Sequence, residues 1–371
     1  MNLRKTRMEV SLENYRHNFR AIRENAGAAK VIAVIKANAY GMGVIPVARA
    51  LMEEGADFFA VATPDEAVEL REAGIRNQIL VLGQSPRDAA ETYVSLGILS
   101  TVTDMGMAEA LSGAAGKIGR AARVHLKVDS GMGRIGFLPE DALNAAKKLR
   151  ALPGIDIEGV FTHFAKADEE DAAATLRQFA VFESVIKEIK GAGIPVKMSH
   201  CCNSGAILAN LSNMYMDAVR PGHILSGLIP SPECGSSVPI KPCFEVKTAV
   251  SLIRELPAGA GISYGSTYRT DEPELVAVLP VGYADGYDRG LSNRGCVLIQ
   301  GKRCPIRGRI CMDQCVVGVS HLKDPKVGDE AVLIGRQGGD AITVEEIAEK
   351  LSTITGTIPV SFTARMPRVC V

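Results

Sequence analysis

The stretch VIAVIKANAYGMG, Val31 to Gly43, decides how the rest of the chain is read. Val31 to Ile35 are five apolar residues, four of them β-branched, and form a run of the length and type expected of a buried strand. Lys36 follows at once. Burying an ammonium against such a run costs several kcal/mol or drives its pKa down. A lysine in this place is therefore either a side chain snorkelling out of a strand end or an amine that the protein uses. Beyond Gly43, VIPVARALMEEG has helical spacing and ends on Gly55, a residue suited to a helix C-terminus. The unit is strand, loop, helix.

That unit recurs. Further strand-like runs occur at Phe58–Ala62, Ile79–Leu82, Ile98–Val102, Val124–Val128, Ile155–Phe161, Val196–Ser199 and Met216–Val219. Between them lie helical stretches such as PDEAVELREAG, PEDALNAAKKL and AATLRQFAVFESVIKEIKGAG, with Gly74 and Gly191 or Gly193 at expected helix ends. Eight buried strands, each followed by a helix, predict an α/β fold of the (β/α)8, TIM-like barrel type. The rival is an open doubly wound sheet, and no G-x-G-x-x-G follows the first strand to favour it. After about Leu228 the texture changes. IPSPECGSSVPIKP reads as a linker, and FEVKTAVSLIREL, ELVAVLPVGYADGY and CVLIQGKRCPIRGRICMDQCVVGVS read as β-rich, with TVEEIAEKLS the one clear helix. The expected organisation is a barrel over residues 1–232 and a mostly β, sandwich- or barrel-like C-terminal domain over 233–371, with the first few residues open to joining the β domain.

Composition excludes several classes of function. The 371 residues carry 42 Lys plus Arg and 42 Asp plus Glu, so no basic surplus points to nucleic acid or an anionic membrane surface. No apolar segment approaches the roughly 20 residues that span a bilayer, and MNLRKTRMEVSLENYRHNF has no signal-peptide core. Nine cysteines without a CxxC pair offer neither a metal cluster nor a disulfide framework, and fit a reducing cytoplasm.

In barrels of this kind chemistry gathers at the C-terminal strand ends, and the unusual residues fall there. Lys36 ends the first strand. Lys127 and Asp129 lead from the fifth into SGMGRIG with Arg134, and His163 ends the sixth. His200 ends the seventh, followed by Asn203, Ser204 and Gly205. Arg220, Gly222 and His223 follow the eighth. The loops after strands seven and eight commonly hold phosphate, with backbone N–H groups and a hydroxyl on offer. A phosphorylated ligand facing a lysine suggests pyridoxal phosphate in Schiff-base linkage, with Arg220 as partner of the pyridine nitrogen. Taken singly, each of these residues has an ordinary structural explanation; their gathering at one barrel mouth does not.

VIAVIKANAYGMG, HLKVDSGMGRIGF, FTHFAKAD, RPG, GISYGSTYRT, VGYADGY and GRICMDQ, in this order along nearly the whole chain, resemble the alanine racemases of bacteria. The resemblance implies a cytoplasmic homodimer with shared active sites that supplies D-alanine for peptidoglycan, each site holding pyridoxal 5′-phosphate at a barrel mouth and no metal. It implies that Lys36 carries the cofactor and acts as one of two bases, and that Tyr264, from the second subunit, is the other. Tyr40, Ser204 and the Gly222 backbone correspond to phosphate ligands, with Asn203 and His223 beside them. Arg220 corresponds to the pyridine-nitrogen partner with His200 behind it, and His163 to the histidine near the ring. Arg134 corresponds to the contact of the cofactor's phenolic oxygen and of the substrate. Lys127 corresponds to a supporting lysine that is often carbamylated. Met312, through its backbone N–H, corresponds to a substrate-carboxylate contact, with Asp313 and Tyr283 in support. The chain departs from the family pattern at Met42, His223, Ser226, Gly356-Thr357 and Ala364. Those departures open a second reading, a racemase of serine or another small amino acid. A pyridoxal phosphate-binding protein without turnover and a cofactor-free Schiff-base aldolase are readings from other classes.

Overall fold

The computed structural model describes residues 4–235 and 237–371. The first three residues of the expected barrel domain and residue 236 of the expected linker lie outside the described residues. The chain forms two compact units. One comprises Tyr15–Ala39 and Val44–Lys241; the other comprises the described residues up to Asn14, Tyr40–Gly43 and Pro242–Val371.

The chain opens with strand β1 (Arg7–Val10) and the helix Leu12–Ala26. Eight parallel strands then close into a barrel: β2 (Lys30–Val34), β3 (Phe58–Val61), β4 (Gln78–Val81), β5 (Leu99–Val102), β6 (Ala122–Lys127), β7 (Ile155–Phe161), β8 (Met198–His200) and β9 (Ala218–Val219). Closure is made by β9 against β2, with Lys30 opposite Ala218 and Val31 opposite Val219. Each of the eight runs expected from sequence overlaps one of these strands, because strands buried on both faces need unbroken apolar sequence. Within the barrel, Ile32, Val34, Phe58, Ala60, Leu80, Leu99 and Ala218 form one buried cluster. Burial of each large aliphatic among them contributes about 1.5–3 kcal/mol.

The tract 237–241 runs back along the barrel unit. Asn18 clamps Lys241, donating from Nδ2 to its carbonyl and accepting its N–H at Oδ1, both at 2.8 Å. Ser237 Oγ donates to Ile207 O at 2.9 Å.

The β unit holds a seven-stranded sheet, a three-stranded sheet and a two-stranded ribbon. β1 lies inside the largest sheet, antiparallel to Phe244–Ala249 on one side and parallel to Arg368–Cys370 on the other. FEVKTAVSLIREL is divided between sheets, Phe244–Ala249 in the seven-stranded one and Leu252–Leu256 in the three-stranded one. A short helix, Thr357–Ser361, joins the expected Val344–Leu351. No helix among the described residues is long and apolar enough to cross a membrane.

Candidate active site

The backbone turns left-handed immediately beyond Lys36. Ile35 N–H still bonds Ala60 O at 2.9 Å, continuing the β2–β3 pairing. Then Ala37, Asn38, Ala39 and Tyr40 take φ values of 51°, 55°, 52° and 55°. None is glycine, and this conformation costs an L-residue roughly 1–2 kcal/mol each, so the surroundings must hold it. Ala37 N–H donates to Glu66 Oε1 at 2.6 Å, Ala39 N–H to Ile35 O at 2.9 Å, and Val44 N–H to Asn38 Oδ1 at 2.7 Å. Gly41 follows with φ 87°, where a Cβ would strike Pro359 O. The Lys36 ammonium makes no hydrogen bond or ion pair among the described residues. Burial, and then the Arg134 charge, hold its pKa below the usual lysine value, with Glu66 opposing.

At the top of the barrel a chain of rings fixes Arg220. Arg220 Nη1 donates to His200 Nδ1 at 2.6 Å, and Nη2 donates to Thr162 O at 2.7 Å and Cys201 O at 3.0 Å, with His163 Nδ1 at 3.3 Å. His200 Nε2 lies 2.9 Å from His125 Nδ1. Because His200 Nδ1 accepts from arginine, a neutral His200 carries its proton on Nε2 and donates it to His125. Burial, then the Arg220 charge, push His200 and His163 well below the usual histidine value. His125 falls to about 3, through burial and then Arg123 and Arg220. Burial brings Arg220 down to about 10, which leaves it a cation at neutral pH. Phe161 stacks on His200 with ring centroids 4.9 Å apart, and the Arg220 guanidinium and Lys127 ammonium lie 5.4 and 5.5 Å from its ring.

Lys127, the last residue of β6, is buried and donates to Val128 O at 2.7 Å. Burial, then Arg220, bring its pKa down to about 7. Asp129 folds the SGMGRIG loop around its carboxylate: Oδ1 accepts from Gly131, Met132 and Gly133 N–H at 3.0, 2.8 and 3.0 Å, and Oδ2 from Arg134 N–H at 2.8 Å. Those backbone bonds hold its carboxyl below the usual value against burial. The loop presents Arg134, an exposed side chain whose charge acts on Lys36, Lys127 and His163.

Asn203 caps the short helix Ser204–Leu208 through Oδ1 to Ala206 N–H at 3.1 Å, and its amide reaches Phe164 O at 3.3 Å. Ser204 Oγ accepts Gly222 N–H at 3.0 Å, which leaves the hydroxyl proton available. His223 follows; burial and Lys36 lower its pKa, and Asp168 opposes them. Tyr40 ends the left-handed turn and is buried. The barrel unit thus brings together Lys36, Lys127, Arg134, His163, Asn203, Ser204, His200, Arg220, Gly222 and His223 at the C-terminal ends of its strands.

Tyr264, Tyr283, Met312 and Asp313 belong to the β unit and form one surface there. Tyr264 sits in a tight turn after Ser263, whose φ of 60° and ψ of −172° are held by its Oγ bonding Arg309 O at 2.5 Å. Gly282 lets the Tyr283 turn approach closely, since a Cβ there would strike Cys311 O and Met312 O; Tyr283 N–H bonds Cys311 O at 3.1 Å and Ala284 N–H bonds Met312 O at 3.0 Å. The Met312 N–H is unpaired among the described residues. Tyr264, 69% exposed, and Met312, 50% exposed, line an open hollow of about 660 Å³ with Asp313, and Tyr283, 41% exposed, lines a second of about 570 Å³ on the other side of Tyr264. Asp313 is held by Arg365 at 2.8 Å.

Two residues at the site escaped the sequence reading. His125 lay inside the apolar run of its strand; a polar residue in a fully buried strand was the available signal. Glu66 lies inside PDEAVELREAG, whose helical spacing alone accounts for it, and in the structure Thr63 and Glu66 form a capping box. Of the departures, Ser226 is buried and accepts from Tyr15 Oη at 2.9 Å, so Tyr15 satisfies the polar group. Met42 is fully buried, as suits an apolar side chain. Thr357 and Ala364 are exposed, and nothing in the structure explains the exchanges at Gly356, Thr357 or Ala364.

Comparison with known proteins gives a consistent result. The family description "Alanine racemase, N-terminal domain" matches residues 10–230, and "Alanine racemase, C-terminal domain" matches residues 243–370. The chain is 44% identical over 372 aligned residues to the alanine racemase of Halothermothrix orenii, covering 99% of this chain and 98% of that protein. It is 44% identical to that of Carboxydothermus hydrogenoformans, covering 98% of each. Among solved structures, the alanine racemase of Clostridium difficile 630 superposes with a TM-score of 0.96 at 37% identity, covering 100% of this chain and 97% of that one. That of Bacillus anthracis with bound L-Ala-P gives 0.94 at 36% identity, covering 100% and 96%.

Proposed function

This chain belongs to the alanine racemase family, and on that premise we propose that it interconverts L- and D-alanine on pyridoxal 5′-phosphate, with Lys36 as one base and Tyr264 of the partner subunit as the other. The observation that carries the reading is the state of Lys36: an amine at the barrel mouth, without an acidic hydrogen-bond partner, held below its usual pKa by burial and a neighbouring guanidinium. An amine acts as a base only when neutral, and both influences favour that form.

The donor set fits the cofactor. Arg220 commits Nη1 and Nη2 to His200, Thr162 and Cys201, which leaves Nε–H and one Nη1–H for a ring nitrogen. Ser204 has a hydroxyl proton to give, and with Tyr40 and the Gly222 backbone would hold the phosphate. His163 and Arg134 would flank the ring, with Asn203 and His223 near the phosphate and Lys127 supporting Arg134. Bound there, pyridoxal 5′-phosphate supplies an electron sink for the charge left when an amino acid loses its Cα proton.

The protein's own groups do the rest. Lys36 Nζ and Tyr264 Oη of the partner subunit take and return the proton on opposite faces, which inverts the centre. Arg220 would donate a hydrogen bond to the ring nitrogen without surrendering a proton, and neutral His200 behind it would supply none, so Arg220 would leave that nitrogen unprotonated and discourage loss of the amino group. Arg134 and the unpaired N–H of the partner subunit's Met312 suit the substrate carboxylate. The exposed surface of Tyr264, Tyr283 and Met312 supports a second copy as its cover, and with it a homodimer with shared sites. D-Alanine made in the cytoplasm would serve peptidoglycan synthesis.

His223, an ionisable residue within the electrostatic reach of Lys36, favours serine or another small amino acid as a second substrate reading. Ser226 lends it no support, because Tyr15 engages its hydroxyl. Incubation with L-alanine in deuterated water should give D-alanine carrying deuterium at Cα. Absence of exchange would refute the function, and a kcat/KM for serine above that for alanine would reassign the substrate.

A further inference from the structure

Lys36 stands where strand β2 gives way to a strained turn. Its own side chain makes no bond among the described residues, and the backbone beyond it is a left-handed turn without glycine. One carboxylate crosses from the neighbouring strand's loop to that turn. Glu66, in the first turn of the helix Pro64–Glu72, accepts Ala37 N–H at Oε1, 2.6 Å away. Its Oε2 accepts Ala62 N–H at 2.7 Å and Thr63 N–H at 3.3 Å. Both oxygens are therefore engaged, one by the residue after Lys36 and the other by the end of β3. A helix cap needs only the second of these.

We propose that Glu66 is a positioning residue of the active site: its carboxylate ties the end of β3 to the peptide after Lys36, and so fixes where Lys36 leaves the barrel. The assignment rests on the reading of Lys36 as the cofactor-bearing base. Charge-assisted hydrogen bonds to backbone N–H groups are short and directional, which suits them to holding a strained turn. The bond at Ala37 lies one peptide from the Lys36 Cα, so a shift there is passed to the amine through a single stiff unit. Glu66 is also the acidic group whose charge acts on Lys36 against burial and Arg134. Glutamine in its place keeps the size and one carbonyl acceptor. Its NH2 group faces N–H donors on the other side, so it cannot serve both ends of the bridge. Aspartate keeps the charge but is one methylene too short to span them.

The test uses the cofactor-free full-length protein and follows capture of added pyridoxal 5′-phosphate by Lys36. In this condensation the amine nitrogen bonds the aldehyde carbon and water leaves. The growth of yellow absorbance is recorded against pH. In Glu66→Gln the capture rate at its plateau should fall tenfold or more. The pH midpoint should move down by about half a unit, the effect of one nearby charge removed across partly solvated space. Glu66→Asp should show the slower capture with the midpoint unmoved, which keeps the test available should the glutamine variant fail to fold. Thr63→Ala removes a helix cap without touching the Ala37 bond, and should lower thermal stability while leaving rate and midpoint unchanged. Capture by Glu66→Gln or Glu66→Asp at the unmodified rate overturns the proposal, as does an equal slowing in Thr63→Ala. Failure of the unmodified protein to capture the aldehyde at Lys36 refutes the functional reading instead, so the two failures are distinct.

Discussion

Replacing Lys127 with methionine should make the cofactor-free protein more stable near neutral pH, and the gain should vanish in alkali. The fall of the Lys127 pKa from 10.5 to about 7 corresponds to about 5 kcal/mol at ~1.36 kcal/mol per pH unit. Methionine fills a similar volume without charge but forfeits the bond from Nζ to Val128 O, worth about 1 kcal/mol. With some relaxation around the buried ammonium, the net gain at pH 6.5 is about 3 kcal/mol, and at ~2–4 °C per kcal/mol for a unit of this size Tm should rise by roughly 6–12 °C. The sign with pH follows from proton counting. Between about 7 and 10.5 the unfolded chain keeps a proton on Lys127 that the folded chain has released, so stability of the unmodified protein rises with pH in this window. The methionine variant lacks that rise, and the two Tm curves should converge near pH 10. Calorimetric scans from pH 6 to 10 in buffer free of carbon dioxide measure this directly. Bicarbonate should then stabilise only the unmodified protein, since a neutral buried amine under the charges of Arg220 and Arg134 can add carbon dioxide, release a proton and become an anion. A Tm difference independent of pH, or a loss of stability at pH 6.5, would refute the account of Lys127.

Other consequences are as direct. Gly159→Ala places a Cβ against the His125 ring and should cost about 1–3 kcal/mol as overpacking, with lower kcat because the His125–His200–Arg220 chain moves. His125, His163 and His200 are held neutral, so below about pH 6.5 the unfolded chain binds protons that the folded chain refuses, and stability should fall as pH drops from 6.5 towards 4; nitrogen NMR should show His200 protonated at Nε2 alone at pH 6. Tyr264→Phe should leave the absorbance of the bound cofactor unchanged while lowering racemisation by at least a hundredfold in both directions, and exchange of the Cα proton with deuterated water should be lost from L-alanine more than from D-alanine; equal exchange from both enantiomers would remove Tyr264 from its role.

The barrel was legible in sequence because its strands are buried on both faces, so that VIAVI, FFAVA and ILVL stand out between helical stretches. β1 was not legible in the same way. Its four residues gain their place in the β sheet from partners 230 or more positions away, Phe244–Ala249 and Arg368–Cys370, and no local pattern encodes such a pairing. The left-handed turn after Lys36 was equally hidden, since left-handed backbone is normally announced by glycine and Ala37 to Tyr40 contain none. Lys36 and Arg220 could be named from their positions at strand ends. His125 is marked in the sequence only as a polar residue in a buried strand and Glu66 not at all, because their roles lie in what they touch: a second histidine in one case, a backbone N–H in the other.

Lys36, alone among the lysines, is the amine proposed to engage pyridoxal 5′-phosphate and then serve as base. Borohydride reduction of the yellow protein, followed by peptide mapping, should therefore find the cofactor mass on Lys36, and Lys36→Ala should give colourless protein. Cofactor mapped to Lys127 or to any other lysine, or colour undiminished in Lys36→Ala, would contradict that assignment.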